Sequence, residues 1–185
     1  MPLILVKEDG TGKVDANSYA NAADGDAFHD GHFYASAWNA ATAPNKEKAL
    51  VMATRLIDAY YQFHGWKRSN VQGLQWPREA AIDPDRNDLR LSALENNLGP
   101  YFEEDRVPKA VIDATCEMAR EVLIADRTDA PDGEGVAQLG VAGSVSITFD
   151  KKDRQPVISQ VAQTMLSKLG TLIRAGCGAA KLVRV

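Results

Sequence analysis

Cysteine is scarce. Cys116 and Cys177 are the only two in 185 residues, they stand far apart, and neither belongs to a Cys-x-x-Cys pair or a Cys/His spacing. A disulfide framework and a sequence-legible zinc module are both excluded, and Cys116, inside a helical pattern, is expected to be a small core residue. Long apolar runs are missing as well: no stretch approaches the ~18 to 20 residues that span a bilayer. The run Met1-Pro2-Leu3-Ile4-Leu5-Val6 is too short for a signal segment and leads into Glu8 and Asp9 rather than a small-residue cleavage site. It is expected to be a short strand or arm of a soluble, intracellular protein. Positive charge is not in excess either, with 25 acidic against 21 basic residues and a net charge of −4. That balance speaks against a general nucleic-acid binder, which needs a basic surface to neutralise phosphates.

Catalytic and metal-binding patterns are equally thin. Of three histidines only His29 and His32 are close, and Gly31 interrupts the helix that would align them as ligands. The segment Asp83-Pro84-Asp85-Arg86-Asn87-Asp88 starts like a calcium loop, but Asp88 stands where the turn needs glycine and Leu94 where the closing Glu belongs. Glu103-Glu104-Asp105, beside Arg106, reads as solvated charge rather than a catalytic acid pair. No Ser/His/Asp or Cys/His grouping can be placed. The glycines at 133, 135, 140 and 143 lack the strand-turn-helix setting of a phosphate loop. The expectation is a non-enzyme without metal or cofactor.

What is present is helical periodicity. At this length one domain can build a core unaided. Residues 1–15 read as an N-terminal arm, 16–126 as a helical body, and 127–185 as a connection, a β segment, a C-terminal helix and a tail. Asn17 or Ser18 is expected to cap a first helix running to about Asp30, weakened by Gly25 and Gly31. Pro44 opens a second, with Leu50, Ala53, Leu56, Ile57, Tyr60 and His64 on one face. Leu91, Leu94 and Leu98 suggest a short helix ended by Gly99-Pro100. Pro108 opens the next strong one, striped by Val111, Ala114, Met118, Val122 and Ala125. Ile158, Val161, Met165, Leu169 and Leu172 define a last helix. Between them, residues 143–150 alternate like a half-buried strand. The fold class is therefore mainly α: a bundle of three to five helices with a short β-strand or hairpin and extended N- and C-terminal arms. A lone strand leaves backbone groups unpaired, so the segment 3–6 or a neighbouring subunit is expected to complete it.

The most specific local signal is Leu74-Gln75-Trp76-Pro77-Arg78, where Pro77 forbids helix and holds Trp76 extended beside a guanidinium. Trp66, Trp76, Pro77 and Arg78 are candidates for a structural loop or a subunit interface. Trp66 and Trp76 with Lys67-Arg68 also keep open a stacking site for single-stranded bases. The other short basic groups, Lys151-Lys152 with Arg154 and Arg174 with Lys181 and Arg184, read as solvated faces or pairing between subunits.

In order and spacing, Ala16-Asn17-Ser18-Tyr19-Ala20, the helix from Lys48 to Asp58, Leu74 to Arg78, Val107-Pro108 with its helix, and Val141 to Phe149 before an apolar helix resemble a tailed-bacteriophage family. These are the head-to-tail adaptor, or head completion, proteins, some of which carry the label "DnaT-like single-stranded DNA-binding". The similarity spans nearly the whole chain and departs in the long stretch between Arg78 and Val107. The resemblance implies a virion protein of the neck, put together in the host cytoplasm: a ring, typically of twelve copies, under the portal, joined to tail or neck proteins. It also implies an open channel for genomic DNA that is not read by sequence. An extended or C-terminal segment would grip the portal, which makes Val145, Ile147, Phe149, Arg174, Lys181 and Arg184 the expected arm or portal contacts. The alternative is a DnaT-like single-stranded DNA-binding accessory protein of replication.

Overall fold

The computed structural model describes residues 3–83, 85, 101–129, 138–141, 145–148 and 155–173. Among these residues five helices occur: α1 Ala22–Asp30, α2 Ser36–Ala40, α3 Ala43–Tyr60, α4 Lys109–Ile124 and α5 Gln160–Leu166. Six short strands pair as three antiparallel ribbons: β1 Tyr61–Phe63 with β6 Gly170–Leu172, β2 Trp66–Lys67 with β3 Arg78–Glu79, and β4 Gln138–Val141 with β5 Val145–Thr148. The described architecture is thus mixed, helices with short antiparallel strands.

α3 and α4 are where periodicity placed them. Pro44 sits in the first turn of α3, where its missing N–H costs nothing, and Pro108 caps α4. The two helices pack on each other, and α5, α1 and α2 also pack on α4. The core runs through Leu50, Ile57, Val111, Met118, Ile158 and Leu166, all at or below 1 % exposure. Burying each such side chain contributes roughly 1.5–3 kcal/mol.

Element boundaries differ from expectation in three places. α1 starts at Ala22, because Asn21 and Asp24 form a capping box that satisfies two orphan N–H groups. Asn17 instead accepts from Val6 N, and Ser18 Oγ donates to the Ala20 carbonyl. Gly25, read as a weakness, is required: a Cβ there would collide with the buried Trp38 ring. α3 ends at Tyr60, so His64 lies beyond it and is exposed. The chain turns extended because Tyr61 and Phe63 bury alternate positions of β1. α5 stops at Leu166, and Leu172 faces Tyr61 across β1–β6 instead of extending the helical stripe, while Val161 is half exposed.

The strand expected to be solitary has a partner in its own chain. Val145 pairs with Val141 and Ile147 with Leu139, so β5 completes a hairpin without the segment 3–6 or a second subunit. The N-terminal segment lies along residues 16–18: Asn17 N and Ser18 N donate to the Val6 carbonyl, and Glu8 is 1 % exposed. The leucine-rich stretch 91–98 and the C-terminal tail from Arg174 fall outside the described residues.

Candidate functional site

The Trp-Pro-Arg loop is an internal clamp. Gln72, itself buried, shapes it from inside: its Nε2 donates to the Leu74 and Pro77 carbonyls at 2.9 and 3.0 Å, and its Oε1 accepts from Ser69 N at 2.9 Å. The Trp76-Pro77 peptide bond is cis. Trp76 is fully buried, edge-on to Phe63 and Phe102 with centroids 5.8 and 5.9 Å away. Its indole N–H has no hydrogen-bond partner among the described residues.

Polar groups fasten the loop from two sides. The Tyr19 hydroxyl accepts from Gln75 N at 3.0 Å and Trp76 N at 3.1 Å and donates to Asp58 Oδ1 at 2.5 Å, while Asp58 Oδ2 accepts from Gln75 N at 3.0 Å. Burial pushes the Asp58 carboxyl up to about 6, against the opposing pull of these hydrogen bonds and of the Lys67 and Arg78 charges. Burial, reinforced by the Asp58 charge, also holds the Tyr19 phenol well above its usual range. On the other side Arg78, 4 % exposed, donates through Nε to the His64 carbonyl (2.7 Å) and through Nη2 to that of Gly65 (2.5 Å). Its Nη1 donates to the Gln75 carbonyl and to Gln75 Oε1, both at 3.1 Å. Each of its three nitrogens thus donates to the loop region, and Trp76 is fully buried.

Trp66 is the exception. It lies on β2 opposite Glu79, is 61 % exposed, and donates its indole N–H to Glu79 Oε2 at 3.0 Å. Lys67 is half-buried, and Arg68 is drawn onto the protein, donating to the Gly10 carbonyl at 3.0 Å. Of the four residues considered for stacking or phosphate contact, Trp76 is removed by burial. Trp66 keeps an open ring face, but with a carboxylate beside it.

Of the candidate chemical groups, the two histidines meet edge to face. His29 is buried, its Nε2–H donating to the Cys116 carbonyl at 3.1 Å, and burial lowers its pKa. His32 lies 5.9 Å from it, ring to ring, and among the described residues no three metal-ligating side chains gather. Burial pushes the Cys116 thiol up to about 12, which leaves it unreactive at neutral pH. Glu103 pairs with Arg106 at 3.1 Å on the surface, and Asp85 pairs with Lys168 at 2.7 Å. Of the expected arm contacts, Val145 and Ile147 lie in the hairpin, and Phe149, Arg174, Lys181 and Arg184 lie outside the described residues.

Comparison with family sequence patterns matches residues 1–185 to the family described as "Putative DnaT-like ssDNA binding protein". The chain belongs to that family. No curated protein and no solved structure matches it. The family match therefore spans the clamp, the helical body and the hairpin alike.

Proposed function

We propose that this DnaT-like family member is a non-enzymatic assembly protein of a tailed phage, a head-to-tail adaptor that forms a ring under the portal, joins it to neck or tail proteins and leaves a channel for DNA. The observation that carries the reading is the meeting of three adaptor-like motifs at one place. Tyr19 comes from the first motif, Asp58 from the end of the second, and Gln75 and Trp76 from the third, and they share one hydrogen-bonded knot. Residues spaced like a family's motifs and joined this way act as a scaffold, which suits a protein whose work is to present surfaces rather than to transform a substrate. The net negative charge suits a channel that must let duplex pass without holding it. Mixing the protein with its cognate portal oligomer and imaging the product tests this: a symmetric ring on the portal is expected, and bare portals at micromolar concentrations would overturn it.

The second reading is single-stranded DNA binding, and the family description favours it over the first. Exposed Trp66 beside Lys67 is the local feature in its favour. This reading expects an oligonucleotide affinity that falls steeply with salt and loses roughly 1–3 kcal/mol in Trp66→Ala. Absence of any mobility shift at low salt would remove it.

A further inference from the structure

The β2–β3 ribbon sets Trp66 directly across from Glu79 and Lys67 across from Arg78. Cross-strand partners share a face, and successive residues alternate between faces. Buried Arg78 marks the inner face, so Trp66 and Glu79 stand together on the outer one. The pair is held in place. Arg78 pins the two residues before Trp66 through the His64 and Gly65 carbonyls, and Gly65, at φ +71°, lies so close to the Glu79 carbonyl that a Cβ would collide with it. The indole N–H donates to Glu79 Oε2 at 3.0 Å and leaves the ring 61 % exposed. A carboxylate offers about four lone-pair sites, so Glu79 keeps acceptor capacity beside an open aromatic face. Arg68, whose N–H extends the ribbon to the Pro77 carbonyl, follows Trp66 on the same face by alternation.

We infer that Trp66 and Glu79 form a subsite for one base of single-stranded DNA, in which the ring stacks the base and the carboxylate selects cytosine over thymine. The inference rests on the single-strand reading and gives the carboxylate a role in it. Glu79 repels phosphate, so a strand settles here with a base toward the pair and its backbone toward Arg68. An aromatic platform alone treats bases alike, because each has a π-face. A fixed acceptor at its edge breaks that equality. Cytosine carries the N4 amino group, a donor, where thymine carries the O4 carbonyl, an acceptor. Glu79 therefore accepts a hydrogen bond from cytosine and sets lone pairs against lone pairs with thymine.

Fluorescence anisotropy of labelled oligo-dC and oligo-dT of equal length, titrated with the full chain at low salt and mildly alkaline pH, tests this. The two pyrimidines are nearly equal in size, so stacking differs little between them. The wild type is expected to bind oligo-dC about three- to tenfold more tightly, the worth of one hydrogen bond. In Glu79→Gln the ratio should fall to about one, because an amide accepts from the cytosine amino group through its oxygen and donates to thymine O4 through its nitrogen. Trp66→Ala should weaken binding of both oligonucleotides, and thermal melts verify that each variant is folded. A wild type that binds oligo-dT as well as oligo-dC, or a Glu79→Gln variant that keeps the full preference, overturns the inference and leaves the single-strand reading standing. Failure to bind either oligonucleotide overturns both, so the two failures are distinct.

Discussion

The Tyr19 hydroxyl donates to Asp58 Oδ1 at 2.5 Å and accepts two backbone N–H groups, from Gln75 and Trp76. One phenol thereby joins the first extended segment, the last turn of α3 and the Trp-Pro-Arg loop. Tyr19→Phe keeps the ring and removes the junction. Trp76 N then has no acceptor among the described residues, while Gln75 N retains Asp58 Oδ2. A loss of about 1–3 kcal/mol is expected in urea unfolding, the cost of one buried unsatisfied group. A loss within error would show that the phenol does not hold the loop.

Asp58 makes stability depend on pH in an unusual direction. Its folded-state pKa of about 6 lies above the ordinary aspartate value of 3.8, so the folded chain binds the proton more tightly than the unfolded one. The contribution is fully present below the unfolded pKa and is lost as pH rises through the folded one. The stability of the wild type relative to Asp58→Asn should therefore grow as pH falls from 7 to 4, by up to roughly 3 kcal/mol. Denaturant titrations of both proteins across that range check the sign, and a difference that shrinks on acidification contradicts it.

Trp76 occupies the core next to Phe63 and Phe102. Trp76→Ala should cost ~3–5 kcal/mol through the cavity it leaves. Trp76→Phe, which keeps most of the ring volume and removes an indole N–H that has no partner among the described residues, should cost clearly less. Chemical unfolding of the two variants checks the ranking, and equal losses would contradict it.

Glu8 sits in a cradle of backbone donors: Oε1 accepts from Gly10 N and Gly12 N, both at 2.9 Å, and Oε2 from Lys13 N at 2.8 Å. Glu8→Gln turns an amide NH2 toward at least one of these donors whichever way it is flipped. A loss of about 1–3 kcal/mol is expected. Gly10→Ala should be at least as damaging, since Gly10 has φ +101° and a Cβ there would run into the Asp105 carbonyl. Thermal melts of the two variants give the ranking.

The long helices could be read from the sequence because α3 and α4 bury one periodic face each, a property of local spacing. Their neighbours could not. His64 and Leu172 fit helical stripes by spacing, yet β1 and β6 claim the chain on either side, and that pairing joins residues far apart in sequence. Pro77 announced a loop but left Trp76 open between an internal and a docking role, and nothing local points to Tyr19, 56 residues from Gln75, as its anchor. Arg78 was legible as a donor to loop carbonyls or a carboxylate, and the carbonyls of His64, Gly65 and Gln75 are among its partners; which ones it would take was not legible. The aromatic stretch Phe33, Tyr34 and Trp38 follows no period in sequence, and the Trp38 ring packs against Gly25, a contact no local signal announces.

The β1–β6 ribbon also sets a timetable. Tyr61 has no ladder partner until Leu172 exists, and Ile173 N closes the ribbon on the Tyr60 carbonyl. During synthesis the segment after α3 must therefore wait unpaired until Leu172 has left the ribosome. A nascent chain stalled before that point would be a substrate for chaperones, whereas one released after Ile173 could close without them.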